Sequence, residues 1–335
     1  MPVGVGLIGL GMAASPHMLA LRDLAAQGEV SIIGGFSPSE GRRAAFAERW
    51  GVPVFTTQEA LLAQPGLGLV LILTPPGTHL PVAEAVAKVG CAMVVEKPVE
   101  VSVQRGEALA ALAEHHGVAC GICLQHRFRP GALRLRQALR AGELGDVLSA
   151  SASIRWWRDA AYFNEPGRGT RARDGGGVLL TQAIHTLDLL LHLAGPHRSV
   201  AGFATTSPLR RIDTEDIVAA ALQFENGAIG VLDATTVARP GYPERIEIAG
   251  TEGSAVLEGS HLTLHGRGGA AETLGAAAVS GGADPMAFDH GPHRALIADV
   301  LEARATGRKP ACDARSALAV QRLIEDLLRD AEQRR

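Results

Sequence analysis

The run Gly9-Leu10-Gly11-Met12-Ala13-Ala14 stands directly behind an apolar stretch, Val3–Ile8, and directly ahead of a helix-like one, Pro16–Gln27. No other feature constrains the chain as tightly. A GxGxxA turn between a buried strand and a helix lets the backbone reverse at Gly9 and keeps the space over Gly11 clear. It also lets helix and strand close together at Ala14. Main-chain N–H groups at the helix N-terminus then face that space and favour a pyrophosphate. Gly9, Gly11, Met12 and Ala14 are therefore expected to hold a dinucleotide.

The surrounding pattern agrees. Short apolar runs at Val3–Ile8, Val30–Phe36, Leu69–Leu73, Met93–Val95 and Val118–Ile122 alternate with amphipathic stretches at Pro16–Gln27, Gly41–Trp50, Leu80–Val89 and Val103–His116. Strands without polar alternation are covered on both faces, as in a parallel sheet built from βαβ units. From about residue 145 the pattern changes. Val147–Trp157, Ser199–Thr205, Ile217–Phe224, Ala228–Thr236, Arg245–Ala249, Ser254–Leu257 and Leu262–Leu264 read as successive strands, with Asn226-Gly227 as a hairpin turn. A glycine-led helix, Gly177–Ala194, lies among them, and helices near His290–Arg304 and Arg315–Arg334 end the chain; Gly266–Ala283 reads as a loop. The fold class is α/β, a Rossmann dinucleotide-binding domain over residues 1–122 and a second α/β domain with a mostly antiparallel sheet over residues 123–335. A length of 335 residues suits two cores better than one.

Composition narrows the function. A net charge of −3 and 4% aromatic residues argue against a nucleic-acid partner. The first residues lack a secretory pattern and no uninterrupted apolar run reaches membrane-spanning length, so a cytoplasmic protein without a membrane partner is expected. Cys120 and Cys123 form a lone CxxC; without a second ligand pair they read as buried thiols, and no metal is expected. Lysine is scarce: Lys88, Lys97 and Lys309 are the only ones among 32 basic residues. A motif that keeps one stands out.

The end of the second strand separates NAD from NADP. An acidic residue there would hold the ribose 2′-hydroxyl. Here Phe36-Ser37-Pro38-Ser39 precedes Glu40 and Arg42. Ser37, Ser39 and Arg42 are expected to take a 2′-phosphate, so NADP is favoured over NAD. Ligands bind outside the carboxyl ends of parallel strands. Thr74-Pro75-Pro76-Gly77-Thr78-His79 and Glu96-Lys97-Pro98 both follow such strands, which places Thr74, Pro75, His79, Glu96 and Lys97 on the cofactor side.

These motifs, with Gly175-Gly176-Gly177 ahead of His185 and Asp188, Arg127-Phe128 and the late Gly307-Arg308-Lys309-Pro310, resemble the Gfo/Idh/MocA (glucose–fructose oxidoreductase / inositol dehydrogenase) family. The resemblance runs through essentially the whole chain. It implies an open sheet in the second domain and NAD(P)-dependent oxidation or reduction of sugars or polyols. Lys97 would stand beside the nicotinamide and steady a developing alkoxide, and His185 would exchange the hydroxyl proton. The ordinary alternatives are a turn lysine and a core histidine. Thr181, His185, Asp188 and His192 are spaced four, three and four apart and share one helix face. Asp188 either buttresses His185 or ties the helix to a neighbour, and His192 reads as structural. Many relatives carry Asp where this chain has Thr181, so His185 must act without that carboxylate. Arg127, Arg155, Trp157, Tyr162 and Thr181 are expected substrate contacts, against a sheet-edge or interface role for the aromatic cluster. An uncovered sheet face implies a homodimer or homotetramer. Two other functions fit the resemblance: an NAD-dependent glycosidase acting by transient oxidation, and a non-catalytic nucleotide sensor.

Overall fold

The computed structural model describes residues 1–165, 167–276 and 289–334. The chain gathers into two compact units, Met1–Gln125 with Phe288–Leu318, and His126–Ala287 with Ala319–Arg335. In the first, β1 (Val3–Ile8), α1 (Ala14–Ala26), β2 (Val30–Phe36), α2 (Glu40–Trp50), β3 (Val54–Phe55), α3 (Gln58–Leu62), β4 (Leu67–Ile72), α4 (His79–Lys88), β5 (Ala92–Val95), α5 (Val103–His116) and β6 (Cys120–Ile122) alternate. The strands form one parallel sheet in the order β3-β2-β1-β4-β5-β6, the doubly wound Rossmann order. Val5, Leu7, Leu69, Leu71, Met93 and Val94 have no exposed surface, which is why these strands read as unbroken apolar runs. β3 and α3 leave no sequence signal: two strand residues and five helical ones are too few to show a period.

The second unit begins with α6 (Pro130–Arg140), β7 (Val147–Arg155), α7 (Ala160–Phe163), α8 (Arg171–Asp174) and α9 (Ile184–Ala194). It continues with β8 (His197–Thr205), β9 (Ile217–Phe224), β10 (Ile229–Thr235), β11 (Arg245–Gly250), β12 (Ser254–Glu258), β13 (His261–His265) and β14 (Glu272–Leu274). Its eight strands lie in the order β14-β13-β12-β11-β7-β10-β9-β8, antiparallel except for the β7–β10 pair. α6 and α9 pack on one face. The other face is set by alternation: Ile229 and Val231 point outward while Gly230 and Leu232 point in. Two helices close the chain. α10 (Gly291–Thr306) packs in the first unit on α1 and β5, and α11 (Ala314–Gln333) follows it.

Two expectations are corrected. Gly177–Ala194 is not one α-helix: Leu179–Ala183 forms a π-helical turn, and α9 begins only at Ile184. Gly266–Ala283 is not wholly a loop, because Glu272–Leu274 pairs with β13; residues 277–283 lie outside the described residues. The stretch Arg171–Ala194 is long and apolar enough to cross a membrane, but 83% of its apolar window is buried inside the protein, as in a core helix.

Candidate active site

The glycine turn carries the geometry that a pyrophosphate needs. Gly9 has φ +100°, and a Cβ there would stand 2.5 Å from the carbonyl carbon and oxygen of Leu73, so only glycine fits. A Cβ on Gly11 would meet nothing within 4 Å: it would project into open space that a ligand can use. Met12 is exposed beside it, and Ala14 is buried at the start of α1. The residue before that helix, Ala13, offers no capping side chain, and the first turn holds no acid. The helix end therefore keeps its partial positive charge. At the end of β4, the Thr74 hydroxyl is buried and has no hydrogen-bond partner among the described residues. An uncapped helix, an open Gly11 and an orphaned hydroxyl fit a dinucleotide phosphate group.

The other cofactor-side residues are placed less uniformly. Ser37 is buried after β2 and its hydroxyl accepts the Ser39 N–H at 3.4 Å; Ser39 in turn caps α2 by accepting the Arg42 N–H at 3.4 Å. Arg43, next to Arg42, ties this loop by donating to the Ser37 and Pro38 carbonyls at 2.6 and 3.2 Å. Arg42 itself is exposed, as is Pro75. His79 is fully buried, with its ring nitrogens 3.1 and 2.9 Å from the carbonyls of Val99 and Thr74, so it holds the loop after β4.

Glu96 and Lys97 follow β5. Both oxygens of Glu96 are engaged: Oε1 lies 2.9 Å from His17 Nε2 and Oε2 accepts the Lys97 N–H at 3.1 Å. Burial opposes the charge on this carboxylate, yet the His17 bond and the nearby charges of His17 and Lys97 hold its pKa well below the ordinary range. Lys97 is half-buried, and the Lys97–Pro98 peptide is cis.

In the second unit, the glycine run is explained by contact. Gly175 takes φ +77° and ends α8; a Cβ on Gly177 would lie 2.0 Å from the Glu215 carbonyl oxygen. That approach lets the buried Glu215 carboxylate accept the N–H groups of Gly177 and Leu179, at 3.1 and 3.2 Å. From 178 to 194 the only positions not fully buried are Thr181, His185 and His192. These are three of the four residues expected on one face; the fourth, Asp188, is buried, and a π turn over Leu179–Ala183 precedes α9, a feature that recurs at functional sites.

His185 lies against the ring of His126, centroids 5.0 Å apart and tilted 32°. His126 is buried and bonded to Arg129 at 2.6 Å, and Arg129 pairs with Glu244 at 2.5 Å. Sequence reasoning passed over His126, whose single-letter neighbourhood gives no sign of what its ring touches. Asp188 ties the helix to a neighbour, one of its two expected roles. Its carboxylate receives Arg127 through two bonds, at 2.7 and 2.5 Å, with both side chains buried. His192 is pushed down to about 3 by burial and by the charges of Arg127, Arg136 and Arg140, so its ring stays neutral. The Thr181 hydroxyl donates to the Gly177 carbonyl at 2.7 Å. Tyr162 joins this group: its hydroxyl accepts from Gln182 and Arg168 at 3.1 and 3.0 Å. Trp157 is half-buried under the guanidinium of Arg239, 4.1 Å from its ring centre. Arg155 is exposed at the end of β7 and paired with Asp233.

Comparison with known proteins places both regions in one family. Residues 3–123 match the oxidoreductase family with an NAD-binding Rossmann fold, and residues 132–256 match the GFO/IDH/MocA C-terminal domain. The D-apiose dehydrogenase of Paraburkholderia graminis is 28% identical over 301 residues, which cover 88% of this chain and 76% of that protein. An uncharacterized oxidoreductase of Bacillus subtilis, YrbE, is 30% identical over 211 residues, 61% of this chain and only 59% of its own length. Among solved structures, levoglucosan dehydrogenase in complex with NADH and levoglucosan superimposes with a TM-score of 0.87 at 21% identity, over 99% of this chain and 98% of that one. At that identity the likeness is one of fold. The two matched regions carry the glycine turn and the His185 helix respectively, and the chain belongs to the GFO/IDH/MocA family of oxidoreductases, with an NAD-binding Rossmann fold in its N-terminal region.

Proposed function

We propose that this chain is a dehydrogenase or reductase for a hydroxyl or keto carbon of a sugar, polyol or sugar derivative, with Lys97 and His185 as its catalytic residues. The observation that carries the reading is His185: a partly exposed imidazole on α9, in a segment otherwise buried almost throughout that starts at the Gly177–Glu215 contact. A nicotinamide supplies the hydride acceptor for oxidation and the donor for reduction. Lys97 Nζ holds the substrate oxygen and stabilises negative charge as it develops. His185 Nδ1 is buried, so Nε2 is the nitrogen that takes the hydroxyl proton on oxidation and returns it on reduction. Thr181 and Tyr162, with Arg127, Arg155 and Trp157, were expected at the substrate; Tyr162 and Thr181 keep that role in this proposal. The Arg127 and Arg155 side chains are engaged by Asp188 and Asp233.

NADP is proposed in preference to NAD, because no carboxylate follows Phe36 directly and Arg42 stands exposed in the first turn of α2. The test is a panel of sugars and polyols with each dinucleotide, read at the reduced-nicotinamide band. Turnover with at least one sugar or polyol is expected; none with either dinucleotide rejects the reading. Arg42→Ala should raise KM for NADP by about tenfold, the loss of roughly 1.4 kcal/mol, with NAD little changed. Equal effects on both would return the preference to NAD.

We also propose a homo-oligomer through the bare sheet face, and a cytoplasmic location, which suits four free, buried cysteines. On that face Phe203, Ile229 and Val231 are 68, 56 and 58% exposed, and Ala219 and Ala221 lie between their strands. A contiguous apolar patch of this kind marks an interface. Light scattering should give a multiple of the single-chain mass, and Val231→Glu with Phe203→Glu should give the monomer. A wild-type monomer at micromolar concentration would remove the proposal.

A further inference from the structure

Four side chains near the end of β5 form a cluster of a different kind. His17 on α1, Glu96 after β5, Cys123 after β6 and His293 on α10 each offer one ligand atom, and these atoms all lie within 4.8 Å of one another. His17 Nε2 is 2.9 Å from Glu96 Oε1 and 3.8 Å from Cys123 Sγ. The two imidazoles meet edge to face, with centroids 5.1 Å apart. His17, Cys123 and His293 are buried, and Glu96 is 15% exposed. A second observation is independent of this convergence: Nδ1 of His293 is buried without a hydrogen-bond partner among the described residues. Buried polar atoms are nearly always satisfied, so an orphaned imidazole nitrogen in this cluster calls for a ligand.

We propose that His17, Glu96, Cys123 and His293 bind one divalent cation of the zinc class. The donor set decides the class. Two imidazoles, a thiolate and a carboxylate make a four-coordinate N2OS shell, whereas magnesium and calcium want six or more oxygens. Zinc–ligand bonds of about 2.0–2.3 Å put the edges of a tetrahedron near 3.3–3.8 Å, so the cluster closes with side-chain shifts of roughly 1 Å. Binding breaks the His17–Glu96 hydrogen bond and releases the Cys123 proton to solvent. The cation's two charges are then matched by one thiolate and one carboxylate, with no net charge left in the interior. Glu96 Oε2 keeps the Lys97 N–H, so the ion joins α1 and α10 to the ends of β5 and β6 without taking Lys97's backbone anchor. The lone CxxC is thus half used: Cys123 points to this cluster, and its partners come from distant positions in sequence.

The test uses the full chain, free of any affinity tag, stripped with a chelator and titrated with cobalt(II) chloride and then zinc chloride. One cobalt per chain is expected, with four-coordinate visible bands and a thiolate-to-cobalt charge-transfer band in the near ultraviolet, both abolished by one equivalent of zinc. Cys123→Ser should lose the charge-transfer band, His293→Gln should weaken cobalt binding at least about 100-fold, and Cys120→Ser should change neither. Absence of stoichiometric cobalt binding by the wild type, or a thiolate band that survives Cys123→Ser, overturns the proposal. Should Cys123→Ser fail to fold, the wild-type band and His293→Gln decide alone. Neither readout needs dinucleotide or turnover, so this result is separable from the catalytic reading.

Discussion

Lys97→Ala is expected to lower kcat by about a thousandfold while dinucleotide Kd stays within about threefold of wild type. The split follows from where the residue sits. In the proposed site, phosphate recognition falls to the turn at Gly9 and Gly11 and to the uncapped end of α1, none of which involves Lys97. The Lys97 side chain is half-buried after β5, and its main-chain N–H is fixed on Glu96 at 3.1 Å. In the proposed role, the ammonium at this position acts on charge that appears only as hydride moves. Removing one such donor typically costs about 2.7–4 kcal/mol of transition-state stabilisation. Lys97→Arg should rescue little, because a planar guanidinium does not reproduce a compact point charge. His185→Asn should reduce kcat comparably, and the double variant should fall well short of the product of the two, as with groups that act as a unit. A Lys97→Ala enzyme with kcat within tenfold of wild type would remove the lysine from the chemistry, whatever else remained true.

The parts of this molecule that were legible in its sequence are those governed by short-range rules. Val3–Ile8, Val30–Phe36, Val103–His116 and Ile217–Phe224 were read with the boundaries they have, because burial on one face writes a period into consecutive residues and burial on both writes an unbroken apolar run. Gly9 and Gly177 were legible as glycines, but the reason for the second, the Glu215 carbonyl 2.0 Å from its absent Cβ, lies just before β9, far along the chain. The π turn at Leu179–Ala183 left no mark, since it shifts hydrogen bonds without altering which residues are apolar. His126 and Arg129 escaped for a different reason. Their partners, His185 and Glu244, are distant in sequence, and nothing local reports such a contact. His79 shows the converse: a histidine in a ligand-side motif whose ring is used up by two backbone carbonyls. Motif position placed it near the ligand, and only geometry showed its task.

Arg127→Met is expected to destabilise the fold by about 3–5 kcal/mol, and Arg127→Met with Asp188→Leu to recover most of that loss. Arg127 is 6% exposed and Asp188 1%, and the guanidinium meets the carboxylate through two parallel bonds. Burial pushes the Asp188 carboxyl up while Arg127 pulls it down, so the ionised form depends on its partner. Methionine removes that partner and leaves a carboxylate that must either take a proton or drag water into the core beneath α9. Removing both charges takes away the penalty along with the attraction, and a buried pair replaced by apolar residues is often neutral or better. Urea unfolding at neutral pH for the wild type, both single variants and the double variant measures the coupling directly. A substrate contact at Arg127 makes the opposite forecast. KM would rise in Arg127→Met with the urea midpoint unchanged, and Asp188→Leu would restore nothing. The sign of the double-variant result therefore separates a residue that holds the His185 helix in place from one that touches the sugar.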